Sequence, residues 1–335
     1  MTQPALVRAA SVPASQTDPQ APHAPDQAAL RRRRIALFFL LLTPALWATN
    51  YIVGRRAAGV VEPHLLAAMR WTLAFAVMLP LAAPTLVRLW PQWRREWPDL
   101  FVLGAIGVWI CGAFVYIGAQ TTAALNIGLI YALSPVLLAL LSPRLFNEPL
   151  GRTQGWGIWL AIAGTVFILS RGSIQTILTL DFTVGDLWIL SAVMGWTTYS
   201  VLLRKRPTVL DPFARLAATT AAGLIVIAPF TLAEALIKGL PQPSLEIAGM
   251  VLALALLPGI GAYFCYAYML RELGPARAGL AICLGPLYGA LMGWAFLGEL
   301  PAWFHAVGAA LILPGIYLAN RKSNHVRQDP DRQSR

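Results

Sequence analysis

Polar and aromatic side chains recur inside long apolar stretches of this chain, and they are the residues that could recognise a small molecule. Trp47, Asn50 and Tyr51 are spaced i, i+3, i+4, which places them on one face of a helix. Such a face either packs against other helices and the membrane interface or lines a binding cavity. The predicted substrate-binding set is Trp47, Asn50, Tyr51, Arg70, Tyr116, Gln120, Tyr131, Ser134, Trp196, Tyr199, Tyr263 and Tyr266.

Arg70, in the stretch AAMRW, is the clearest charge inside an apolar run. An arginine at the centre of an inserted helix costs about 2.5 kcal/mol or more, so it usually faces a cavity or a partner. Asn50 is predicted at a similar depth on the neighbouring helix, so the two residues could line one pocket in the outer third of the membrane. That pocket would favour a substrate with a carboxylate or another anionic group. The alternative is that the side chain snorkels to the interface.

The sequence contains no constellation typical of an enzyme. The patterns GxxxxGK[ST], HExxH and GxSxG are absent. Ser134 and His305 are the only residues that could pair as an intramembrane serine hydrolase, and their placement argues against it. The three cysteines lie singly in apolar runs without CxxC spacing. We therefore expect no enzyme activity, no cofactor and no metal site.

The elements that must position these residues are membrane-spanning helices. Of the 335 residues, 57% are hydrophobic and 12% are charged, whereas soluble domains carry about 25% charged residues. Apolar runs of spanning length recur throughout the chain. They predict an all-α polytopic membrane protein with ten spans, near 35–54, 64–83, 99–119, 123–142, 153–170, 185–203, 213–236, 247–269, 276–297 and 303–320. Pro135 and Pro286 leave counts of nine or eleven open.

The charged residues indicate how the chain sits in the lipid bilayer, which is its expected partner. The net charge of +11 does not indicate nucleic-acid binding, because the Lys and Arg residues lie between apolar runs and in the tails. Residues 1–34 read as a disordered tail that ends in the RRRR anchor, and residues 323–335 read as a second tail. Lys and Arg are more frequent in the loops on the tail side, which predicts that both termini are cytoplasmic.

The second half of the sequence echoes the first. WATNYIVGRRAAGVVEP, which starts at Trp47, aligns with WTTYSVLLRKRPTVLDP, which starts at Trp196. Further pairs follow in register. Each copy holds five spans, so the second must enter the membrane upside down, as in many secondary transporters. We therefore predict two inverted five-helix repeats, at residues 35–171 and 185–322. The further matched pairs are Gly128 with Gly279, Pro135 with Pro286, Glu148 with Glu299, Gly157 with Gly308, and Gly164 with Gly315.

Two of these matched pairs suggest specific roles. Pro135 and Pro286 stand at mid-helix and are either hinges, sites that expose backbone carbonyls, or plain kinks. Glu148 and Glu299 stand at span ends, where we expect each to support the start of the next helix.

These stretches resemble the drug/metabolite transporter superfamily, and specifically its EamA-type proteins with ten spans. The resemblance rests on WATNYIVGR, AAMRW and the duplicated Glu–Gly–Gly pattern, and it covers residues 35–322. It implies a bacterial inner-membrane secondary transporter with a central cavity that works by alternating access. It also implies export of small metabolites, often amino acids or related compounds. A passive channel or facilitator and a non-transporting scaffold subunit remain as alternatives. The sequence leaves the substrate, the coupling ion and the oligomeric state open, and a monomer would suffice.

Overall fold

The structure, a computed structural model, describes residues 27–57, 59–122, 124–146, 150–297 and 300–320, except the side chains of residues 51, 52, 54, 55, 124, 125, 293, 296 and 297. This part of the chain is helical throughout and contains no strand. A short helix, Ile174–Leu178, lies between the fifth and sixth long helices. The long helices are α1 (Gln27–Ala57), α2 (Pro63–Arg88), α3 (Trp90–Ala119), α4 (124–146), α5 (Arg152–Leu169), α6 (Val184–Lys205), α7 (Pro212–Lys238), α8 (Leu245–Leu273), α9 (275–297) and α10 (Trp303–Asn320).

These ten helices confirm the predicted polytopic fold. Seven of them, α2, α3, α4, α6, α7, α8 and α10, are long and apolar enough in their described parts to cross a membrane. Of the other three, α1 carries four arginines before its apolar run, α5 starts with Arg152 and Gln154, and α9 is broken into short pieces. Large apolar side chains such as Phe38, Leu81 and Trp156 are exposed on the outer surface, as lipid contact requires.

Four of the helices are irregular. They form two pairs, α3 with α8 and α4 with α9, in which the irregular segments lie at matching positions of the two halves. A π-helical segment interrupts α3 at Ala105–Ile110 and α8 at Ala255–Gly261. In α4 the helix Ala124–Tyr131 ends before a second helix, Leu133–Phe146, begins. In α9 a 3-10 segment, Gly279–Leu284, precedes Gly285–Leu297. Both breaks in α4 and α9 lie just before the matched prolines, where a missing N–H weakens the helix.

Glycines show how the two halves are related. Gly157 of α5 lies against Gly315 of α10, where an added Cβ would come within 2.5 Å of the Gly315 carbonyl oxygen. Gly164 of α5 lies against Gly308 of α10, where the corresponding distance would be 2.9 Å. The repeat matches Gly157 with Gly308 and Gly164 with Gly315. Replacing each residue by its match in the other half therefore turns the Gly157–Gly315 contact into the Gly308–Gly164 contact. This exchange is the signature of an inverted repeat with a pseudo-twofold axis between α5 and α10.

The two ends of the helical bundle can be distinguished by their contacts. We call the end that holds Gln27 and Asn320 the terminal side, where Arg33 Nη2 donates to the Asn320 carbonyl oxygen over 2.5 Å. The opposite end is the far side. There Arg56 pairs with Glu246 at an Nε–Oε1 distance of 2.7 Å, which ties the end of α1 to the start of α8.

Candidate functional site

A cavity of about 550 Å³ lies between the two halves. It begins beside Ala119 and Gln120, which are exposed at the far-side end of α3, and reaches inward to Trp196 and Tyr263. Its walls come from α1, α2, α3, α4 and α5 of the first repeat, with α9 of the second. This volume is within the range of small-molecule binding sites, which are about 300–1,000 Å³. The cavity is therefore large enough to hold a metabolite-sized ligand.

Arg70 is the centre of a polar group on the cavity wall. Its Nη1 donates to the Tyr116 hydroxyl over 2.8 Å and to Asn50 Oδ1 over 3.1 Å. The Tyr116 hydroxyl in turn donates to Asn50 Oδ1 over 2.9 Å. Arg70 is 2% exposed, and its guanidinium carbon lies 4.9 Å from the centroid of the Trp71 ring. The guanidinium therefore turns inward to the cavity cluster, so the snorkelling alternative for Arg70 is not the arrangement in this structure.

An aromatic cluster forms the floor of the cavity. Trp196 is at its centre, with ring centroids 5.2 Å from Trp47, 5.4 Å from Tyr263 and 4.6 Å from Tyr266. Edge-to-face contacts at such separations add to the stabilisation from buried area. The Tyr263 hydroxyl donates to the Gly107 carbonyl oxygen over 2.8 Å, inside the π-helical segment of α3. The floor thus joins both halves through packing and one buried hydrogen bond.

Further contacts close the terminal side below this floor. Arg206 Nη1 lies 3.2 Å from Asp99 Oδ1, and Arg204 Nη1 donates to the Leu270 carbonyl oxygen over 3.0 Å. A separate cavity of about 200 Å³ lies near Ser142 and Gln154 and shares no lining residue with the large one. The large cavity is therefore open towards the far side and closed towards the terminal side.

The structure brings most of the predicted site residues together, but not all. Those that line the cavity are Trp47, Asn50, Arg70, Tyr116, Gln120, Tyr131, Trp196 and Tyr263. Tyr199 and Tyr266 pack behind the floor, where the Tyr266 hydroxyl lies 3.0 Å from Ser200 Oγ. Ser134 is fully buried, 3.5 Å from Thr197 Oγ1. The side chain of Tyr51 lies outside the described residues.

The matched prolines and glutamates have different placements. Pro286 lines the cavity, whereas Pro135 is buried and packs against Gly279. Glu148 and Glu299 fall outside the described residues. His305 hydrogen-bonds locally at the start of α10, where its Nδ1 accepts from the Ala302 N–H over 2.9 Å.

Two carboxylates inside helices were not among the residues that the sequence analysis singled out. Asp186 is 5% exposed in the first turn of α6, where its Oδ2 accepts from Thr183 N and from Asn126 Nδ2. Glu234, near the end of α7, accepts from Leu65 N over 2.9 Å and lies 3.0 Å from His64 Nδ1. The Thr183–Asp186 spacing is a capping-box pattern and could have revealed the first. No group of three or more His, Cys, Asp or Glu residues in the described chain could hold a metal ion.

Two inverted repeats of membrane helices with a cavity between them are the architecture of many membrane transporters. The sequence profile of the EamA-like transporter family matches residues 34–170 and again residues 183–321, and the chain belongs to this family. The match is to a family of transporters and not of enzymes. The chain is thus a multi-pass membrane transporter, and its family implies a small-molecule substrate.

Individual relatives are similar over most of their length. The uncharacterized transporter YyaM of Bacillus subtilis (strain 168) is 27% identical over 292 residues, which cover 86% of this chain and 94% of YyaM. A probable terminal-alkyne amino-acid exporter of Streptantibioticus cattleyicolor is 25% identical, covering 86% of this chain and 94% of that protein. A crystal structure with 22% identity superimposes with a TM-score of 0.68 over 87% of this chain and 96% of that one, which shows a shared fold.

Proposed function

We propose that the protein is a secondary transporter that moves a small metabolite across the bacterial inner membrane by alternating access. The observation that carries this proposal is the one-sided cavity at the interface of the two repeats. A channel would need a continuous path, but the aromatic cluster around Trp196 blocks this cavity at its floor. A scaffold subunit would not need a cavity of about 550 Å³ with a buried arginine in its wall.

The repeat supports a second conformation that opens to the terminal side. Because the halves are related by an inverted repeat, each residue of the open half has a counterpart in the closed half. Cavity-lining residues in this structure correspond to residues packed below or beside the floor. These pairs are Asn50 with Tyr199, Tyr116 with Tyr266, Gly285 with Ser134, and Pro286 with Pro135. Exchanging the conformations of the halves would close the far side and expose the second member of each pair, with the matched prolines acting as hinges.

The proposed direction of transport and orientation in the membrane rest on the loop charges and on one relative. Lys and Arg are more frequent in the loops on the terminal side, which supports cytoplasmic termini and a far side that faces outward. One relative is named as a probable amino-acid exporter. We therefore take export of an amino acid or a related compound as the working function, with the monomer as the transporting unit.

Counterflow in proteoliposomes tests this proposal. A screen of cells with and without the protein first identifies a labelled metabolite whose export depends on it. Proteoliposomes loaded with the unlabelled compound should then accumulate the labelled compound transiently, because a carrier exchanges substrate across the membrane. Protein-free liposomes provide the control. Equilibration without overshoot would indicate a channel or facilitator, and the absence of any movement would favour a scaffold.

A further inference from the structure

Arg70 is the one charged side chain among the described residues that line the cavity. The remainder of the lining is apolar, aromatic or neutral, with Asn50, Gln120 and Thr165 as the neutral polar members besides the tyrosines. No aspartate or glutamate lines the cavity within the described chain. The binding site therefore carries a net positive charge.

The contacts of Arg70 leave part of its guanidinium unused. Nη1 is engaged by Asn50 and Tyr116, which are neutral acceptors. Nε is buried and has no hydrogen-bond partner, and Nη2 donates to none of the residues that the structure describes. Nε and Nη2 together form one edge of the guanidinium fork, the edge that pairs with both oxygens of a carboxylate. Asn50 and Tyr116 thus hold Nη1 and leave Nη2, with the buried Nε beside it, without a hydrogen-bond partner among the described residues.

The remainder of the cavity indicates what the carboxylate should be attached to. Trp47, Trp196 and Tyr263 present rings to the cavity, and these stack on apolar or aromatic groups. No anionic side chain among the described lining residues is available to pair with the ammonium of a zwitterionic amino acid. A ligand that carries only the negative charge leaves no ion unpaired.

From these contacts we infer that the substrate is an organic monocarboxylate with an apolar or aromatic body and no ammonium group. The inference rests on the proposed function only in treating this cavity as the transport site. It narrows "an amino acid or a related compound" to related compounds that lack the amino group.

Binding to the purified protein in nanodiscs tests the inference without any transport. Titration calorimetry would compare three probes that share a benzyl group: phenylacetate, its uncharged amide phenylacetamide, and the zwitterion phenylalanine. Phenylacetate should bind at least about 10-fold more tightly than the other two, since a hydrogen bond to a charged group is worth that factor or more. Equal binding of phenylacetate and phenylacetamide would overturn the carboxylate assignment. Tighter binding of phenylalanine would overturn the exclusion of the ammonium group.

Variants locate the effect at Arg70. R70Q should reduce phenylacetate affinity by about 10-fold or more, to the level of the amide. The phenylacetate affinity of R70K should lie between those of R70Q and the unmodified protein, because an ammonium keeps the charge but loses the fork of the guanidinium. R56Q is the matched control, since Arg56 is exposed and outside the cavity. This variant should bind phenylacetate with unchanged affinity. Equal losses in R70Q and R56Q would contradict the assignment. The comparison of probes on the unmodified protein stands even if R70Q does not fold.

The binding experiment separates this inference from the proposed function. Tight, Arg70-dependent binding of phenylacetate without counterflow of any compound would support the inference and count against the transporter proposal. Counterflow of a metabolite that lacks a carboxylate would support the transporter proposal and overturn the inference.

Discussion

The two repeats share a fold but differ in the residues at equivalent positions inside their helices. The first repeat has Arg70 with Asn50 and Tyr116, hydrogen-bonded to each other around a positive charge. The second repeat has Thr219 where the first has Arg70, and Thr219 is buried without a hydrogen-bond partner in the described structure. The shared fold lets the two halves be compared position by position, whereas the differing side chains place the charge on one half alone.

The halves also differ in how their second helices begin. In the second repeat, Asp211 caps α7 locally, where its Oδ1 accepts from the N–H groups of Phe213 and Ala214. Its counterpart Glu62 makes no such bond at the start of α2. Glu234 of α7 reaches across and accepts from Leu65 N instead. The start of α2 on the far side is therefore held by the opposite repeat, which couples the two halves at the open end of the cavity.

The largest expected effect comes from breaking the symmetric helix contact. G157L should prevent folding or lower the free energy of unfolding by about 3 kcal/mol or more, because its Cβ would strike the backbone of α10. G315L, at the residue that Gly157 contacts, should behave alike, because its Cβ would come within 2.6 Å of the Ala161 backbone nitrogen. G155L is the control, since a Cβ at Gly155 meets nothing within 4 Å. Thermal unfolding in detergent measures all three. A normal melting temperature for G157L would contradict the contact.

The next effect distinguishes the two matched tryptophans. W196A should cost about 3–5 kcal/mol of stability, because it removes a 6% exposed ring at the centre of the floor cluster. W47A should cost less, since Trp47 is only partly buried and contacts fewer rings. Differential scanning fluorimetry of both variants gives the comparison. Equal shifts in melting temperature would mean that Trp196 does not hold the floor together.

The smallest effect concerns the helix starts. D211A and E234A should each lower the free energy of unfolding by about 0.5–2 kcal/mol, the usual cost of losing a cap. E62A should change it by less, because Glu62 makes no cap hydrogen bond. Denaturant titration of the three variants measures their free energies of unfolding and hence the order of these losses. If E62A were the most destabilised, the cross-repeat cap assigned to Glu234 would be wrong.

The sequence was sufficient to predict the spans and the inverted repeat, because apolar length and register are properties of single helices. It also predicted that Asn50 and Arg70 lie at a similar depth in the membrane. It did not predict that Tyr116 joins them, since that depends on how α3 packs against α1 and α2. The burial of Tyr199 and Tyr266 was not predictable either, because a repeat pattern is the same whichever half is open. The π-helical segment of α3 has no proline or other local signal.

The central claim is that the cavity opens alternately to the two sides, and thiol accessibility tests it most directly. In a cysteine-less background, G285C reports on the cavity, where an added Cβ meets open space, and S134C reports on its buried counterpart. A membrane-impermeant thiol reagent should modify G285C from the far side only and S134C from neither side. With transported substrate present, S134C should become reactive from the terminal side while G285C becomes protected. If S134C stays unreactive throughout turnover, or reacts from the far side, alternating access through these two repeats is contradicted.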